Sequence, residues 1–236
     1  MERIGIIGGL GPAASARLYE RITDFTDAAT DQEHLDLVIL SRPQIPDRTA
    51  YLLGVPGAES FVPPMREAAR QLEDLGCGIL ATPCNTAHAC LDEIAEGLQR
   101  ARFISMVNET ALRIAERDFK RVAVLATSGT RAARVYEPAL EAVGCTTEWP
   151  DDQGQETVMA VIFDQVKAGK PVDFEAFSAV CARLRERGCD AAILACTELS
   201  VIGAPDELCG LAMVDALDVL AQACVCAAGA KLKRGN

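Results

Sequence analysis

The chain has 236 residues, with 34 acidic against 23 basic side chains, ten cysteines and two histidines. That length suits one large domain or two small ones, and the half-apolar composition is globular rather than disordered. A net charge of −11 argues against nucleic-acid or anionic-membrane partners, which select clustered Lys and Arg. The opening MERIGIIGGLGP lacks the basic and apolar regions of a signal peptide, and no apolar run reaches the length of a membrane span. A cytoplasmic protein with reduced thiols is expected, so the ten cysteines pose a question of chemistry rather than of disulfide staples.

In chain order, an apolar run at 3–7 reads as a strand and leads through glycines into a helical pattern at 12–26. A strand at 37–40, a helix at 61–75, a strand at 78–81 and a helix at 86–98 follow. The next strand, at 103–105, precedes a helix at 107–117 and a strand at 122–126. Helical patterns at 130–143, 157–168 and 173–186 lead to a strand at 191–195, a weaker one at 211–214 and a last helix over 214–233. Near-continuous apolar strands alternating with amphipathic helices predict an α/β fold with parallel sheet covered on both faces.

An internal repeat divides this pattern. The run from Gly76 to Cys84 matches that from Gly188 to Cys196, each a Gly-Cys followed by a buried strand, with a cysteine eight residues after the glycine. Arg3–Gly11 is echoed in the same way by Arg121–Gly129. Two similar α/β halves with four-stranded-type parallel sheets are expected, related by a pseudo-two-fold axis with the site in the cleft between them. The expected division is 1–98 plus 211–236 for the half with Cys84, and 99–210 for the half with Cys196.

Ligands of parallel sheets sit beyond the carboxyl ends of the strands, where both Cys84 and Cys196 fall. Each enters a helical tract, so free backbone N–H groups are expected to lower the thiol pKa. Asn85, Thr86, Thr197 and Glu198 are placed to hydrogen-bond around the sulfurs. One such cysteine is equally well an ordinary buried residue; two in register across a repeat favour chemistry. The other eight read as packing residues or have no assigned role. With no C-x-x-C pair and only His34 and His88 available, no metal site is expected.

Gly9-x-Gly11-x-x-Ala14 fits a dinucleotide fingerprint, with Arg42 where a 2′-phosphate would be read, or equally a loop whose amides line a small-carboxylate site. Arg48, after Pro46-Asp47, offers a bidentate fork for a carboxylate or a surface pair with Asp47. Lys167 ends a helical pattern, where a solvated lysine is the commoner role.

Taken in order, Ile7-Gly-Gly-Leu-Gly-Pro12, Ile45-Pro-Asp-Arg-Thr49, Thr82-Pro-Cys-Asn-Thr-Ala-His88, Ala126-Thr-Ser-Gly-Thr130, Val166-Lys-Ala-Gly169 and Leu194-Ala-Cys-Thr-Glu-Leu199 resemble the cofactor-independent aspartate/glutamate racemases, in their aspartate branch. The resemblance implies two α/β halves, a homodimer, no cofactor, and Cys84 and Cys196 as the acid/base pair. It further implies that Arg48 and Lys167 hold substrate carboxylates, with Leu10 in the first glycine loop and Asn85, Thr86, Thr127 and Thr197 around the amino acid. Near the C-terminus the family often shows Asp-Thr-Thr and a following histidine, where this sequence has Asp215-Ala-Leu217 and Leu220. The expected reaction interconverts L- and D-aspartate. Alternatives are a glutamate or broad-specificity racemase, an NADP-dependent oxidoreductase, and a non-catalytic amino-acid-binding protein.

Overall fold

The computed structural model describes residues 1–233. Its first sheet contains β1 (Ile4–Gly8), β2 (Leu37–Ser41), β3 (Ile79–Ala81) and β4 (Arg102–Phe103), all parallel, in the order β2-β1-β3-β4. The second contains β5 (Arg121–Leu125), β6 (Thr146–Glu148), β7 (Ala191–Leu194), β8 (Glu207–Leu208) and β9 (Leu211–Asp215), in the order β6-β5-β7-β9-β8. Only β8 runs antiparallel, so the second sheet has one strand more than expected. The sequence repeat survives in the topology. β1 and β5 occupy equivalent central places, and so do β3 and β7, which carry the two cysteines beyond their carboxyl ends.

Strand alternation divides the core into three layers. Ile4, Ile6, Ile79, Val122, Val124, Ala191 and Ile193 face one central cluster shared by both halves. Ile7 and Leu80 face an outer cluster with Phe61 and Met65, whereas Leu125 and Leu194 face another with Phe177. Burial of each large aliphatic side chain is worth about 1.5–3 kcal/mol, so the shared layer holds the halves together. The helix Ala216–Ala227 packs with the helices Pro12–Phe25 and Met106–Glu116 in that layer.

Strand pairing does not change at the expected boundaries. Residues 102–103 complete the first sheet, whereas Leu211–Asp215 pairs with β7 in register Ala191↔Ala212 and belongs to the second. The reason is apolar: Leu211 and Met213 have to cover the outer cluster of that sheet.

Several helical patterns are also divided. The stretch expected at 86–98 forms a 3-10 segment, Asn85–Cys90, before a short α-helix, Leu91–Ala95. That at 130–143 breaks at Arg134, whose φ of 51° is left-handed, into Ser128–Ala132 and Glu137–Ala142. The α-helix Asp152–Met159 widens into a π-helical stretch, Ala160–Val166, and the Lys167 amide donates to the Ile162 carbonyl five residues back. The last helix, expected over 214–233, runs only from Ala216 to Ala227 and ends before the positive-φ Gly229. Two short strands, β6 and β8, and the helix Arg48–Leu52 were not anticipated. No helix of the described residues is long and apolar enough to cross a membrane.

Candidate active site

Cys84 follows β3 in extended backbone, φ −148° and ψ 99°, and caps the segment Asn85–Cys90. Cys196 follows β7 with φ −142° and ψ 129° and caps the four-residue helix Thr197–Ser200. Both thiols are buried and both line one cavity. The first half adds Leu10, Arg48, Asn85 and Thr86 to its wall, and the second adds Thr127, Lys167, Thr197 and Glu198. All ten residues singled out in the sequence therefore converge. The cavity measures only about 20 Å³, room for about one water molecule, so a ligand has to push its walls apart.

The Cys196 side is ionic. Its Sγ donates to Glu198 Oε2 at 3.0 Å, and Glu198 Oε1 pairs with Lys167 Nζ at 2.9 Å. Burial, reinforced by the adjoining Glu198 carboxylate, holds the Cys196 thiol well above its ordinary pKa. The lowering expected from a helix N-terminus is therefore overturned, because one turn of helix is outweighed by desolvation and a neighbouring anion. Burial would lower the Lys167 ammonium, but Glu198 prevails and holds it above its usual range. Lys167 is thus partnered inside the protein rather than waiting for a substrate carboxylate.

The Cys84 side is built from neutral groups. Asn85 accepts a hydrogen bond from the fully buried Tyr136 hydroxyl at Oδ1, while its buried Nδ2 has no partner among the described residues. Thr86 Oγ1 lies 3.1 Å from Thr127 Oγ1, which joins the two halves by hydroxyls. Thr197 Oγ1 makes a second link by donating to the Pro83 carbonyl at 3.3 Å. His88 is no ligand partner for the cysteine sulfur. Its Nε2 accepts from the Met106 amide, so Nδ1 carries the proton and donates to the Cys84 carbonyl. Burial pushes this imidazole down to about 4, which keeps it neutral.

Arg48 differs from expectation. Its Nη1 donates to the Ile45 and Pro46 carbonyls and its Nη2 to the Leu10 carbonyl at 3.0 Å. The end-on fork is engaged with backbone, because the loop after β2 folds over the glycine loop and its carbonyls need donors. Nε is left buried without a partner among the described residues. Asp47 does not pair with Arg48; it caps the helix Arg48–Leu52 by accepting from the Ala50 amide.

The glycine loop serves close approach. The Gly9 amide donates to Ser15 Oγ at 2.9 Å, and a Cβ at Gly9 would lie 2.4 Å from the Arg42 amide nitrogen. A Cβ at Gly11 would lie 2.8 Å from Glu198 Oε1, so the missing side chain lets the carboxylate of the other half dock. Arg42, expected to read a phosphate, donates to Gln71 Oε1. This loop is therefore filled by the protein itself, against the dinucleotide reading.

Sequence reasoning missed Asp47, Thr49 and Phe163 as cavity residues and Tyr136 behind Asn85. The Pro-Asp-Arg-Thr tract was signal enough for the first two. Phe163, whose ring lies 5.3 Å from Lys167 Nζ, had no separate signal, because an apolar residue four before Lys167 reads as ordinary helix packing. The divergent tract lies outside the cavity wall. Asp215 there caps its helix through the Leu217 amide and accepts from Ser200 Oγ at 2.7 Å, and burial raises its carboxyl to about 6.

Of the remaining cysteines, Cys181, Cys189 and Cys224 are buried, and desolvation pushes their thiols up to about 12, 11 and 12. All ten cysteines are free.

The chain is similar to the aspartate racemase of Picrophilus torridus, with a TM-score of 0.83 and 31% identity over 99% of this chain and 97% of that one. It shares its fold with the glutamate racemase of Francisella tularensis in complex with D-glutamate, with a TM-score of 0.71 and 14% identity over 96% and 80% of the two chains. The broad specificity amino-acid racemase RacX of Bacillus subtilis is 27% identical over 146 residues, 60% of this chain. That stretch spans 61% of the relative's own length. The sequence model of the Asp/Glu/Hydantoin racemases matches residues 7–224, and the chain belongs to that family.

Proposed function

We propose that this chain is a cofactor-independent racemase that interconverts L- and D-aspartate, with Cys84 and Cys196 as the two acid/base groups. One observation carries the reading. The two halves of an internal repeat each send a cysteine, at the same offset from a glycine, into one narrow cavity. Racemisation needs a base on one face of Cα and an acid on the other, which is what opposed thiols supply.

The hydrogen bond from Cys196 Sγ to Glu198 supports Cys196 as the protonated member. Cys84, as thiolate, then takes the Cα proton, and Cys196 delivers its own to the opposite face. The pair ends with its protons exchanged, ready for the reverse direction. The Cα–H is a very weak acid, so fixed donors have to stabilise the charge that moves onto the α-carboxylate. Asn85 Nδ2, Thr86 and Thr127 are the donors in this reading, in a cavity that holds little water. The protein acts as a homodimer in the cytoplasm, where its ten free thiols stay reduced.

A broader substrate range is the second reading. A cavity of about 320 Å³ adjoins the first across Lys167, Thr197 and Glu198, with Pro12, Ala13, Ala14, Val166 and Val201 in its wall. Such a wall suits larger, uncharged side chains, in line with the specificity named for the RacX relative. Incubation in deuterium oxide with L-aspartate, L-glutamate and a panel of neutral amino acids tests both. Deuterium at Cα with formation of the D-enantiomer is expected for aspartate. Exchange with none of the panel overturns the racemase, and exchange confined to neutral substrates overturns the aspartate assignment.

A further inference from the structure

Behind the cavity wall lies a residue that the proposed reaction has not yet used. Thr130 is fully buried and lines no part of the cavity, yet its Oγ1 is 2.9 Å from that of Thr86 and 3.1 Å from that of Thr127. Thr86 and Thr127 are themselves 3.1 Å apart, so the three hydroxyls form a closed triangle across the seam between the halves. The Thr127 oxygen also accepts the Thr130 amide at 3.2 Å. Three hydroxyls carry three protons, one for each side of the triangle.

We infer that Thr130 is a positioning residue, whose hydroxyl donates into the triangle so that Thr86 and Thr127 can both turn their protons to one substrate carboxylate. The inference rests on the reading of Thr86 and Thr127 as substrate donors. A carboxylate that enters the cavity can take two hydroxyl protons only if neither wall residue uses its own on the other. Two oxygens 3.1 Å apart with no proton between them repel. The Thr130 proton, given to one of them, satisfies that oxygen from behind while both lining protons point outward. Without it, Thr86 and Thr127 bond to each other and one donor is lost.

The test compares Thr130→Val with Thr130→Ser. Valine keeps the shape and removes the hydroxyl; serine keeps the hydroxyl. Calorimetric titration with L-aspartate should show binding weakened about tenfold in Thr130→Val, the effect of one charge-assisted donor. The drop in kcat/KM should be larger, about a hundredfold, because carboxylate charge grows as the Cα proton leaves. Thr130→Ser should stay within about threefold of the parent in both measures.

Equal impairment of the two variants would mean a packing role and would overturn the inference, as would unchanged binding in Thr130→Val. Binding without Cα exchange in the parent would sink the racemase reading, and the calorimetric ratio would still decide Thr130. A parent protein that binds none of L-aspartate, L-glutamate and L-alanine overturns both.

Discussion

The two cysteine corners descend from the same repeat, yet only their backbone is alike. Both cysteines sit in extended conformation after a buried strand and cap a short helical turn. Two residues on, the first corner has Thr86 and the second Glu198. The first is consequently a network of hydroxyl, amide and neutral imidazole, and the second a thiol–carboxylate–ammonium chain. A symmetric scaffold fixes where two sulfurs stand, and one side-chain difference places a carboxylate beside only one of them.

Removing either sulfur is the harshest way to break that comparison. Cys84→Ala and Cys196→Ala should each lower racemisation at least about a thousandfold, as the loss of a positioned acid or base does. A chiral assay of aspartate checks this, and full activity in either variant removes that cysteine from the mechanism. Glu198→Gln should come next, with a loss of about a hundredfold at neutral pH. It removes the anion that raises the Cys196 thiol, so the thiol should ionise at lower pH and the alkaline limb of kcat/KM should move down. An unmoved limb would deny Glu198 its hold on Cys196.

Smaller effects sharpen the contrast. Lys167→Met leaves Glu198 with little solvent and no counter-ion, at a stability cost of about 1 kcal/mol in urea melts, since the ammonium is a third exposed. A more stable variant would contradict the ion pair's role. At the first corner His88 has a folded pKa of about 4, below the ordinary value of about 6.5. The unfolded chain therefore binds the extra proton first, and stability should be full above about pH 6.5 and fall towards pH 4. Asp215, raised to about 6, works in the opposite sense in the lower part of that window, since stability falls as it ionises. Melts of His88→Asn and Asp215→Asn across pH 4–7 should separate the two slopes. Parallel curves for parent and His88→Asn would remove the histidine from the acid response.

Much of this was legible in advance, and the reasons are local. Apolar runs such as 191–195 and 122–126 could only be buried strands, and the repeat located both cysteines at ligand-facing ends. Asn85, Thr86, Thr197 and Glu198 were legible as polar neighbours of such ends, whereas Leu10, Arg48 and Lys167 came through the family resemblance. The π-helical stretch before Lys167 was invisible, since its residue types equally suit an ordinary helix. β9 was assigned to the wrong half, because an apolar strand does not encode which sheet it completes.

By itself, the sequence determined the strand–helix alternation, the doubled architecture and the positions of the two matched cysteines, all of which follow from short-range periodicity and spacing. Only the tertiary structure decided what the charges do. Arg48 is engaged by the Leu10 carbonyl as well as by its near neighbours Ile45 and Pro46, and Lys167 by Glu198, and the contacts to Leu10 and Glu198 span distances in the chain that no pattern links. Ion pairs and carbonyl contacts depend on where the folded backbone brings partners within about 3 Å. The net charge of −11 is thus no guide to the cavity, whose cations have been matched one by one to partners within the fold.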